Sequence, residues 1–167
     1  MNYFPYSDSY PDALLIRPVD AAEFRDDLSE FLYERFRGAV DADFSGDFFG
    51  TLMIAPRGFA FFLRELLKFL LGQHILTLNA VSDGKTFKAI FSFSCEKELP
   101  MRLRYDLLHV AESSGFTMHT ERQGRRVQIT LSAKQKDGAS FSVYARSPHS
   151  VRRDLYDVVF AENAVSL

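Results

Sequence analysis

Apolar positions crowd most densely between Pro56 and Ser94. Over residues 58–71, GFAFFLRELLKFLL, Phe59, Phe62, Leu63, Leu66 and Leu70 form one helical stripe. Phe61, Leu67, Phe69 and Leu71 widen it until only Arg64, Glu65 and Lys68 interrupt it. A helix that is apolar all round belongs inside a domain or inside a membrane. Fourteen residues with three charges are too short and too polar to span a bilayer, so the pattern predicts a central buried helix wrapped by the rest of the chain. Beyond Gly72, His74 to Val81 and Thr86 to Phe93 read as strands. Ser82-Asp83-Gly84-Lys85 between them carries Asp-Gly, the strongest short-range hairpin signal. Phe87, Ala89, Phe91 and Phe93 then fall on one core-facing side.

Upstream, Ala13 to Ile16 reads as a first strand behind a Tyr-, Pro-, Ser- and Asp-rich arm, residues 1–12. Asp20 is a good N-cap, with Glu23 as its capping-box partner. Phe24, Leu28, Phe31, Leu32 and Phe36 follow at helical spacing until Gly38. Residues 39–55 predict a hairpin or two short strands around Ser45-Gly46-Asp47. Downstream, Pro100 opens a helix to about Ser114 with Leu103, Leu107, Val110 and Ala111 buried. Phe116 to Glu121 and Arg126 to Ala133 make a second hairpin around Gln123-Gly124, and Ser140 to Ala145 adds a strand. A last helix, about Ser150 to Glu162, carries Val151, Leu155, Val158 and Val159 on one face. That stripe must cover either this domain's own sheet edge or another subunit.

The sum is an α+β chain: a two-layer α/β sandwich, its mixed sheet mostly antiparallel, with helices on one face. At 167 residues one domain is expected, comprising 1–167, with 148–167 as an additional C-terminal helix and tail. Net charge is −2 and pI about 6.1, which argues against nucleic-acid binding, since phosphates call for an excess of Lys and Arg. There are 17 Phe and no Trp, so the core is expected to be dry. A single cysteine, Cys95, excludes an internal disulfide and suits a reducing compartment. With no signal-peptide pattern and no apolar run of membrane length, a cytoplasmic, membrane-free protein is expected.

Candidate chemistry is sparse. Asp41-Ala-Asp43-Phe-Ser45-Gly46-Asp47 matches half a calcium loop, but Leu52 stands where a bidentate Glu is required. A turn with solvated carboxylates is the expectation. His74, His109, His119 and His149 lack metal-ligand spacing. No nucleophile elbow, Walker A or dinucleotide fingerprint occurs. Arg102, Arg104, Arg122, Arg125, Arg126, Arg152 and Arg153 crowd the C-terminal third, reading as a solvated face or as a basic patch for an anionic partner.

From Asp47 to Leu131 the order of elements resembles the ATPase domain of sensor histidine kinases, the Bergerat-type sandwich. There a helix of the form L-x-E-L-L-x-N-A precedes two strands, the second ending in D-x-G. Here Leu63-Arg64-Glu65-Leu66-Leu67-Lys68-Phe69-Leu70 occupies the first place and Leu76 to Phe93 the second; Leu107 to Gly115 and Phe116 to Leu131 match the closing helix and hairpin. The resemblance implies a nucleotide site whose chemistry this chain has lost. The magnesium-holding Asn falls at Phe69, and the adenine-binding Asp falls near Phe93 or Ser94. No glycine-rich lid is present, and only Glu65 keeps its polar character. Losing the adenine contact alone costs about 1.5–3 kcal/mol.

These readings imply a regulatory or protein-interaction module without catalysis, cofactor or metal. It is expected to bind a protein partner and to self-associate, if at all, through the C-terminal helix. Two alternatives stand beside it: a working ATPase or kinase domain of a two-component system, and a small-ligand protein with an apolar pocket of Phe87, Phe91 and Phe93.

Overall fold

The computed structural model describes residues 15–70, 75–136 and 151–161. The elements in order are β1 (Arg17–Asp20), α1 (Ala21–Phe36), β2 (Val40–Asp47), β3 (Thr51–Ile54), α2 (Pro56–Leu70), β4 (Leu76–Asp83) and β5 (Thr86–Ser94). They are followed by α3 (Met101–Ser113), β6 (Thr117–Gln123), β7 (Arg126–Lys136) and α4 (Val151–Ala161). The expected arm at 1–12 and strand at Ser140–Ala145 lie outside the described residues.

Seven strands form one sheet in the order β1-β3-β7-β5-β4-β2, with β6 also paired to β7. Every pair is antiparallel except β2–β4, where Val40 lies beside Leu76 and Asp47 beside Asp83. The architecture is therefore the mixed, mostly antiparallel α+β sandwich that the sequence predicts, with the core on the face the helices cover.

Two elements differ from expectation. The first described strand is Arg17–Asp20; of the expected Ala13–Ile16, Leu15 and Ile16 are irregular and exposed and the rest lies outside the described residues. Residues 39–55 give two strands, but not a hairpin: β2 pairs with β4, and β3 with β1 and β7. Ser45-Gly46-Asp47 is thus strand, and the chain reverses after Asp47. Gly46 has φ +105°, and a Cβ there would sit 2.0 Å from the Ser82 carbonyl oxygen. The glycine serves a close approach of strands, not a turn.

The helices bury the faces their periodicity requires. Phe24, Leu28, Phe31, Leu32 and Phe36 of α1 are buried, and Asp20 accepts the Glu23 N–H at 3.0 Å as its N-cap. The Phe91 ring packs 5.3 Å from Phe62 and 5.8 Å from Phe59. Phe24 meets Phe59 and Phe87 edge-on at 5.5 and 5.7 Å, an arrangement that adds to the gain from burial alone.

The last helix settles on its own chain. Val151 and Leu155 are buried, and α4 packs against α1 and α2 rather than on a sheet edge. The side chains of Val158 and Val159 lie outside the described residues. Carboxylates of α1 receive the opening of α4: Glu23 accepts the Val151 N–H and Asp27 the Arg152 N–H. Four N–H groups at a helix start lack intrahelical partners, and anions there are favoured. Glu23 was expected to close a capping box; its carboxylate serves α4 instead. Arg152 reaches Glu30 and Glu34, Tyr156 donates to Glu34, and Arg17 bonds Asp154 at 2.7 Å.

Candidate functional site

Of the residues singled out by the sequence, Phe69 and Ser94 line one hollow, about 390 Å³, at the C-terminal end of α2, and Glu65 and Phe93 do not. Phe69 and Leu70 come from α2, Ser94 from the end of β5, and Cys95, Glu96, Lys97, Glu98 and Pro100 from the segment leading to α3. Phe69 is half-buried and Ser94 exposed. Phe93 lies opposite Val127 with its side chain in the core, because successive strand residues point to opposite faces. Glu65 stands one helical turn before Phe69. Its carboxylate accepts from Arg64 at 3.0 and 3.2 Å and lies 3.6 Å from Lys68 Nζ, so the one acid kept from the motif is engaged with cations of its own helix. Arg64 is buried, its guanidinium 4.7 Å from the Phe61 ring centre.

The wall formed by residues 95–98 is fixed from below. Arg122 donates to the carbonyls of Cys95 and Gly124 at 2.9 Å and of Lys97 at 2.5 Å. Cys95 N–H bonds the Arg125 carbonyl at 2.7 Å, and its Sγ lies 2.9 Å from the Lys97 carbonyl oxygen. Glu98 sits 3.7 Å from Arg104. A charge-assisted fork onto three carbonyls holds a loop better than neutral bonds do. Nothing in the sequence marked Arg122 apart from its neighbours. The C-terminal arginines are distributed over α3, the β6–β7 hairpin and α4, where Arg104, Arg122 and Arg152 have partners of their own chain.

The other candidates fall elsewhere. Asp41 and Asp43 are exposed on strand β2, which corrects the expected turn. His109 and His119 are exposed on α3 and β6; His74 and His149 lie outside the described residues. Phe87 and Phe91 are fully buried and Phe93 nearly so. Phe87 and Phe91 are packed against other rings, and none of the three lines the hollow. Gln135 had no forecast role, yet it is buried and bolts three segments together. It accepts from Ser82 Oγ at 2.7 Å and donates to the carbonyls of Asp47 and Phe49 at 2.9 and 2.5 Å.

Solved structures superpose on part of this chain. The catalytic domain of histidine kinase ThkA superposes with a TM-score of 0.47 at 11% identity, over 72% of this chain and 95% of that one. The Acinetobacter baumannii histidine kinase AdeS gives 0.47 at 10%, over 72% and 68%. A Burkholderia phymatum histidine kinase gives 0.47 at 14%, over 77% and 75%. The chain is similar to them in fold alone. No family model and no curated protein matches it. No helix among the described residues is long and apolar enough to cross a membrane.

Proposed function

We propose that the chain is a non-catalytic regulatory or protein-interaction module of a two-component system, built on a histidine-kinase ATPase-like frame that has lost its nucleotide chemistry. The observation that carries this reading is the make-up of the hollow beside Phe69. A bound nucleotide triphosphate calls for a metal ligand, cationic or amide donors, and glycine where backbone must approach phosphate. The described lining has Phe69, Leu70 and Pro100 as apolar surface, with Glu96 and Glu98 against one ammonium, Lys97. Two carboxylates repel a polyphosphate, and a phenyl ring cannot ligate magnesium.

The same lining suits an apolar or cationic side chain of a protein partner, held against Phe69 with its charge toward the glutamates. The two-component setting rests on the motif order from Leu63 to Phe93.

Calorimetric titration of the protein with Mg-ATP tests the reading. The expected result is no saturable heat at nucleotide concentrations up to about 1 mM. Micromolar binding would restore the working-ATPase alternative and overturn the proposal.

A further inference from the structure

A second hollow lies away from Phe69, on the face of the sheet opposite the core. It encloses about 540 Å³, within the range of small-molecule sites. Its described lining is Met53, Thr86, Gly115, Thr117, Ser132, Ala133, Lys134 and Lys136. The sheet register explains why these residues meet. β7 carries β6 along its first part, where Ser132 lies opposite Thr117, and β3 along its end, where Lys136 lies opposite Thr51. Between these two partners a notch opens at Ala133 and Lys134, and on the other flank Thr86 of β5 lies opposite Lys134.

Side chains two apart on a strand share a face, as do directly opposed residues. Ser132, Lys134 and Lys136 therefore point the same way, joined by Thr117 and Thr86. At the notch Gly115, at φ +94°, lets the chain pass where a Cβ would lie 2.5 Å from the Met53 carbonyl oxygen.

The charges here differ from those of the paired arginines. Arg17, Arg104 and Arg152 each have a carboxylate partner. Lys134 and Lys136 are exposed and have no ion-pair partner among the described residues, and the described lining includes no carboxylate. Two ammoniums on one strand, without an ion-pair partner among the described residues, repel each other. An anion between them removes that repulsion.

We propose that this notch is a binding site for a small organic phosphate. Two ammoniums and three hydroxyls supply more donors than a carboxylate can use, and they match the oxygens of a phosphate monoester. Met53, exposed on β3, offers apolar surface for the organic group. This site is independent of the reading of the Phe69 hollow, because the two share no lining residue.

The test uses the full chain, titrated with phenyl phosphate, inorganic phosphate and phenylacetate at constant ionic strength, with amide NMR shifts as readout. Phenyl phosphate is expected to bind saturably, moving the amides of Thr86, Thr117 and Ser132 to Lys136, with phenylacetate weaker. The exposed double substitution K134Q/K136Q is expected to weaken binding at least about tenfold, while K97Q, in the other hollow, leaves it unchanged. Absence of saturation at about 10 mM, shifts equal for all three probes, or a loss caused by K97Q and not by K134Q/K136Q would overturn the proposal.

Discussion

Two helices of this molecule are seated by opposite means. Against the sheet, α2 is held by rings: Phe59 and Phe62 lie on Phe91, and Phe24 closes over Phe59 and Phe87. Against α1, α4 buries Val151 and Leu155, but its orientation is set by Glu23, Asp27, Glu30 and Glu34, received by backbone N–H groups, Arg152 and Tyr156. Ring packing is insensitive to salt and pH, whereas the α4 seat consists of groups that titrate and can be screened. Burial and the bond to Glu34 push the Tyr156 phenol up to about 12, so it remains a donor throughout the useful pH range.

The largest effect is expected on the ring side. Phe62→Ala should cost about 3–5 kcal/mol by denaturant unfolding, with little dependence on salt. A loss under about 1 kcal/mol would show that the rings are loosely packed. Gln135→Leu tests the polar bolt inside the same apolar layer. It leaves the Ser82 hydroxyl and two carbonyls without their partner and should cost about 2–3 kcal/mol. On the charged side, Arg152→Ala should cost no more than about 1 kcal/mol at low ionic strength, because both partners are half-exposed. The loss should shrink in about 1 M salt. A salt-independent loss would mean that Arg152 acts by packing over the Tyr156 ring, 4.7 Å from its guanidinium.

The smallest effect carries a sign. Burial, with nearby acids adding to it, raises the Glu23 carboxyl above its ordinary 4.5 and the Asp27 carboxyl above its ordinary 3.8. The folded protein then holds these protons more tightly than the unfolded chain. Their contribution is complete below those ordinary values and is lost as pH rises through the raised ones. Stability should therefore climb modestly as neutral solution is acidified toward pH 4.5. Glu23→Gln keeps an acceptor for Val151, should change stability at pH 7 by less than about 0.5 kcal/mol, and should flatten that climb. An unchanged slope would remove Glu23 from the account.

The sequence made most of this architecture legible, for reasons that name themselves. The faces of α1, α2 and α3 follow from apolar residues at helical spacing, and Phe87, Ala89, Phe91 and Phe93 follow from strand alternation. Asp83-Gly84 and Gly124 mark hairpins because the partners are adjacent in the chain. What escaped was non-local. Gly46 looked like a turn because its reason, the Ser82 carbonyl, belongs to a strand far downstream. Glu23 looked like a local cap because Val151 could not be placed beside it. Motif order pointed to Phe69 and to Phe93 or Ser94, of which Phe69 and Ser94 line the hollow; it gave no sign of the clamp from Arg122, whose targets are carbonyls, which no residue type announces. Lys134 and Lys136 gave no signal either, since alternating lysines on a strand look like ordinary solvent-facing positions.

The parallel pairing of β2 with β4 has a kinetic consequence. Hairpins β4–β5 and β6–β7 can zip from their own turns, but Val40 cannot find Leu76 until the intervening β3 and α2 have been placed. Long loop closure is paid for before such pairing is rewarded. We therefore expect the outer edge of the sheet to arrive late in refolding. Pulse-labelled hydrogen exchange should find β2 amides protected after those of β5 and β7; simultaneous protection would mean that the parallel edge belongs to the nucleus.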